Sequence, residues 1–162
     1  MKVFRSIYLC SVGWLMSLLA GCTGGTSAPA PVADAVPAYV PHLGEMMNGV
    51  QVHHAKLYWA GAAGNWELAD FCLEELTEDL EKIPAYHPTH GGADLDRYLQ
   101  ALMTPALDTV SVALKTTSIP RFEAAYGVLT QACNNCHRAT GHPYLVMQKP
   151  AVNNFPNQTF TP

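Results

Sequence analysis

Four stretches of this chain place apolar residues at steps of three and four, and that periodicity restricts the fold more than any other feature. The first, about 43 to 61, aligns Leu43, Met47, Val50, His54 and Leu57 on one stripe. The second, about 66 to 83, opens at Asn65 as a cap and carries Trp66, Ala69, Leu73, Leu76, Leu80 and Ile83 in a bundle-like seam. Its other face, Glu67, Asp70, Glu74, Glu75, Glu78, Asp79 and Glu81, is acidic and expected in solvent, and Pro84 and Pro88 are expected to stop it. The third, about 94 to 116, lines up Leu95, Leu99, Leu102, Ala106, Val110 and Leu114, with Pro105 requiring a kink or a fresh start after Thr104. The fourth, about 119 to 139, has Ser118 as cap, Pro120 in its first turn, and Gly141 and Pro143 at its end.

Short loops between amphipathic helices of similar length predict an all-α fold, an antiparallel four-helix bundle over residues 42–162. No β pattern, glycine-rich phosphate loop or internal repeat competes with it. Only 14% of residues are charged and 49% are apolar, a globular composition.

Ahead of the bundle, residues 1–21 read as an export signal: Lys2 and Arg5 precede an apolar run from Ile7 to Ala20. The run ends in Leu19-Ala20-Gly21-Cys22, which resembles the lipobox of bacterial lipoproteins and implies a lipid on Cys22. An ordinary secretory peptide with Cys22 as a free thiol is the alternative. Residues 22–41, rich in Gly, Ala and Pro, form a flexible tether. The lipid would hold the domain on a membrane facing the periplasm, and Thr23 after Cys22 favours the outer membrane by resemblance to Gram-negative sorting.

Loss of Lys2 and Arg5 with the leader leaves seven cationic against 13 acidic side chains. Such a surface repels phosphate backbones, which argues against nucleic acid, and favours partners with a basic docking patch.

The five cysteines separate by context. Cys10 belongs to the leader, Cys22 to the lipobox, and Cys72 is a small hydrophobe on a helical face. Cys133-Asn134-Asn135-Cys136-His137 is C-x-x-C-H, the signature of c-type haem attachment. Two thiols add across the two vinyl groups, which sets the adjacent imidazole under the iron. Zinc would need four well-spaced ligands, and a thioredoxin-like dithiol a βαβ setting.

A haem motif closing the last helix of a four-helix bundle resembles the class II cytochromes, the cytochrome c-prime superfamily. The strings QVHHAKLYWAGAAGNWELADF, FEAAYGVLTQACNNCHRATGHPY and FPNQTF are similar to blocks shared by a group of exported monohaem proteins. The resemblance implies one covalent haem c on Cys133 and Cys136, with His137 as proximal ligand, and electron transfer in the periplasm or at the cell envelope. It leaves the oligomeric state open, a homodimer included.

The distal ligand decides between functions. Met47 shares the inward stripe, whereas Met46 is turned about 100° away. The resemblance also points to a methionine in the first helix. Met46, His54 or an empty position are the alternatives, and an open distal face would favour binding of nitric oxide or carbon monoxide. An enzymatic role is weakest, because no acid–base pair is placed by motif near the haem. Lys56, Arg121 and Arg138 are candidates for neutralising haem propionates. Phe122 and Tyr126 are expected as packing, His53, His87, His90 and His142 as solvated surface, and the apolar tail, with Tyr144, Val146, Phe155 and Phe160, as cover for a haem edge.

Overall fold

The computed structural model describes residues 39–162, so the export signal, Cys22 and nearly all of the tether lie outside the described residues. Most of the described chain is helical. α1 spans Leu43–Ala62 and α2 spans Trp66–Tyr86. The turn between them is closed by Gly64 at φ +72° and by Asn65, whose side chain accepts from the Leu68 amide at 3.2 Å. That bond satisfies one of the free amides of the first turn of α2, as a cap should.

α2 does not stop before Pro84 but runs through it to Tyr86. The ring removes only one amide donor near the helix end, and the His87 amide still reaches the Ile83 carbonyl at 2.8 Å. The loop after α2 contains a two-residue hairpin, β1 (Thr89–His90) against β2 (Ala93–Asp94), which periodicity does not reveal. Gly91 and Gly92 turn it at φ +59° and +84°, the left-handed pair that a tight hairpin demands.

α3 (Leu95–Tyr98) begins on an Asp94 cap that accepts from the Arg97 amide. It continues without a break through a π turn, Leu99–Met103, into α4 (Thr104–Leu114). The π turn is how the chain absorbs Pro105. A proline ring clashes with the carbonyl four residues back, and a widened turn relieves that clash without ending the rod. α5 (Ile119–Ala139) starts after Ser118, whose hydroxyl makes no capping hydrogen bond, contrary to expectation.

α1 packs on α2 and α5, and α4 packs on α2 and α5. The shared core includes Leu57, Ile83, Val110, Phe122 and Leu129, all fully buried. Burial of each such side chain stabilises the fold by about 1.5–3 kcal/mol. Gly61 is fixed by this packing: a Cβ there would lie 2.2 Å from the Phe122 ring. No helix among the described residues is long and apolar enough to cross a membrane.

Candidate functional site

The end of α5 carries the thiols. Gly141, at φ +85°, closes the helix with paired bonds, His142 amide to His137 carbonyl at 2.7 Å and Gly141 amide to Arg138 carbonyl at 3.3 Å. This is a Schellman ending, and it turns the chain back along the helix it has just left. Two side chains of the C-x-x-C-H segment then grip the returning strap. His137 Nδ1 bonds the Leu145 carbonyl at 2.8 Å. Asn134 donates to the Met147 carbonyl at 3.0 Å and accepts from the Met147 amide at 2.7 Å.

The His137 contact fixes its chemistry. Only a protonated Nδ1 can donate to a carbonyl, so the neutral ring carries its free lone pair on Nε2. A hydrogen bond from the nitrogen that does not ligate is what orients a ligating imidazole.

His137 and Cys136 border an apolar cavity of about 200 Å³. Leu43, Gly44 and Met47 of α1, Ile83 of α2, and Leu95 and Leu99 of the third rod complete its helical walls. Loop residues His90, His142 and Leu145 form its outer side. Met47 therefore lies on the same cavity as the imidazole of the motif, while Met46 packs on the core without lining it. Cys133 is half-buried one turn before Cys136, against the core. Burial pushes the Cys133 thiol up to about 12 and also raises Cys136. Both are neutral thiols at ordinary pH, the opposite of the depressed values of dithiol redox pairs.

His54 lies elsewhere. It is almost fully buried, 2% exposed, with Nδ1 2.9 Å from the Tyr126 hydroxyl and Nε2 3.2 Å from the Thr130 hydroxyl. Thr130 also donates to the Tyr126 carbonyl at 2.9 Å. The Tyr126 hydroxyl also lies 3.1 Å from the His54 carbonyl, and counting protons two arrangements fit: Nε2–H donates to Thr130 and Tyr126 to Nδ1, or Nδ1–H donates to Tyr126, Tyr126 to the His54 carbonyl and Thr130 to Nε2. Burial lowers the His54 pKa to about 4, so the ring is neutral. Both nitrogens are engaged and none is left for a metal. Tyr126, expected as packing alone, is thus half of a polar tie between α1 and α5.

Several other expectations change. His53 is half-buried and pairs with Asp79 at 2.9 Å, so neither is freely solvated. His90 and His142 stack at 5.2 Å on the rim of the cavity, His90 exposed as expected and His142 half-buried. Lys56 sits over the Phe155 ring and Arg138 bonds Asn135. Arg121, 16 residues before His137 on α5, is about 24 Å away along the axis, too far to serve this site. The tail divides: Phe155 and Phe160 pack together, Phe160 being buried, whereas Tyr144 and Val146 are exposed. Only His142 and Leu145 of the tail reach the cavity.

The donor set suits haem c in kind: two thiols a helical turn apart, an imidazole whose other nitrogen is held by a carbonyl, and a methionine bordering the same apolar space. In size the cavity falls below the roughly 300–1,000 Å³ of usual small-molecule sites. His90, His142 and Leu145 make its non-helical side. Among the described residues no three His, Cys, Asp or Glu side chains converge as a zinc site requires. Comparisons with known protein families, with curated proteins and with solved structures find no match for the chain.

Proposed function

We propose that this chain is an exported monohaem c-type cytochrome that carries electrons in the periplasm or at the cell envelope. The single observation that carries the reading is that Met47, Cys136 and His137, from opposite ends of the sequence, border one apolar cavity. In this reading the helices form an antiparallel four-helix bundle, with haem c near the end of α5.

Cys133 and Cys136 would hold the group covalently, and His137 through Nε2 and Met47 through its sulfur would ligate the iron. Bound there, the iron supplies reversible one-electron chemistry between ferric and ferrous. The protein's own part is to hold the ligands and exclude water. The Leu145 carbonyl fixes the imidazole, Asn134 pins the strap beside it, and Leu43, Ile83, Leu95 and Leu99 keep the space apolar. No general acid or base is needed, and we assign the chain no enzymatic step. The export signal and Cys22 would place the domain on a membrane, the outer one by the residue after the cysteine.

The test is the mass and optical spectrum of the full chain made in a host that attaches c-type haem. A mass increased by one haem, and a low-spin spectrum whose long-wavelength methionine-to-iron band vanishes in Met47→Ala, is the expected result. A high-spin spectrum that shifts on adding carbon monoxide would assign gas binding instead. A colourless protein at the mass of its amino acids and lipid would sink the proposal.

A further inference from the structure

A second concavity lies apart from the cavity bordered by Cys136 and His137. Between α2 and the rod formed by α3, the π turn and α4 runs an open groove of about 820 Å³. Its floor is apolar, made by Leu73, Leu80, Leu99, Met103 and Leu107. Asp70, Glu74, Glu78 and Glu81 stand on its α2 wall, Asp96 and Asp108 on the other, and no lining residue is a cation.

All six carboxylates are exposed. Glu78 pairs with Lys82 at 3.0 Å, and Asp96 accepts from Gln100 at 2.9 Å. Asp70, Glu74, Glu81 and Asp108 have no ion-pair or hydrogen-bond partner among the described residues. Like charges face one another across an apolar floor, which only a cationic occupant with an apolar face relieves on both counts. A second copy of this acidic chain, a phosphate backbone and an anionic bilayer all bring the wrong sign.

Position adds to charge. Leu99 lines this groove and also the cavity bordered by Met47 and His137, and Pro84 in the groove is next in sequence to Ile83 in the cavity. Leu99 thus borders both the groove and the site.

We propose that the groove is the docking surface for a basic, amphipathic face of a redox partner, seated against Leu99. The purpose rests on the haem reading, whereas the binding itself does not. Apolar contacts on the floor hold the partner, and the carboxylates steer it and set its register.

The test uses the full haem-loaded chain and a labelled 18-residue helical peptide of leucine and lysine with one apolar face. Its glutamate counterpart serves as control. Fluorescence anisotropy should show the lysine peptide binding, about tenfold or more weaker when salt rises from low to several hundred millimolar. Neutralising the groove with Asp70→Asn, Glu74→Gln, Glu81→Gln and Asp108→Asn should weaken binding by about tenfold or more. Neutralising four acids outside it, Glu45→Gln, Glu67→Gln, Glu75→Gln and Glu123→Gln, should change it less than about twofold. Circular dichroism checks that both variants keep their helices. Equal losses in the two variants, no loss in the groove variant, or equal binding of the glutamate peptide would overturn the proposal. So would self-association of the chain that the groove variant abolishes, which would assign the groove to a second copy. Groove-specific binding by a chain that proves haem-free would keep the docking surface and remove the electron-transfer reading instead.

Discussion

Stability should fall on mild acidification because of one ring. His54 keeps its proton off down to about 4 when folded, against 6.5 for the free side chain, because burial disfavours the charged form. Above 6.5 the ring is neutral in both states and contributes no pH dependence. Between 6.5 and 4 the unfolded chain binds a proton that the folded chain refuses, so stability declines as pH drops. At 1.36 kcal/mol per pKa unit, the loss across that window is about 3 kcal/mol. His54→Gln isolates it. Glutamine can donate to Thr130 and accept from Tyr126 but does not titrate. At pH 7 the variant should be the less stable by about 1 kcal/mol, from imperfect replacement of two hydrogen bonds. By pH 4 the order should reverse, since only the wild type has lost the window. Urea denaturation of both proteins at half-unit pH steps measures this directly. A difference between wild type and variant that stays flat from pH 7 to pH 4 would refute the reasoning, and with it the neutral, doubly bonded ring.

Two further changes probe the packing and the strap. Gly61→Ala pushes a methyl into the Phe122 ring, and overpacking of this kind costs about 1–3 kcal/mol; Phe122→Leu added to it should recover part of the loss in thermal unfolding, which independent effects would not. Asn134→Ala removes both bonds to Met147, worth about 2 kcal/mol together; faster hydrogen exchange at the Met147 amide, with the amides of α1 and α2 unchanged, is the expected signature.

What is legible in the sequence is what short-range chemistry decides. The apolar spacing locates α1, α2 and α5 to within a few residues, Asn65 marks the start of α2, and Gly141 the end of α5. The choice of Met47 over Met46 as the residue facing the motif follows from the helical angle alone, and Met47 is the one that lines the cavity. What escapes depends on partners far along the chain. His54 meets Tyr126 and Thr130 more than 70 residues later, so its apolar stripe gives no hint of the tie. Pro105 announces a disturbance but not its form, because a kink, a restart and a π turn all answer the same clash. His53 looks solvated because its partner, Asp79, sits on a face of α2 that reads as uniformly acidic. Gly91-Gly92 is the one local signal that periodicity passes over: the pair marks a hairpin turn even where the strands are only two residues long.

The C-x-x-C-H segment shows how a helix end orients a histidine. Successive helical residues turn by about 100°, so five positions cover the whole circumference. Cys133 and Cys136 face the core and the cavity, Asn135 faces solvent, and Asn134 and His137 face the returning strap. Had the helix continued past Ala139, no strap would lie beside His137 and its Nδ1 would have only water to orient it. The Schellman turn at Gly141 supplies the Leu145 carbonyl within a few residues, and Asn134 anchors the chain two residues beyond it. The same strap puts Leu145 on the cavity, so one short segment both orients the imidazole and closes the space it faces.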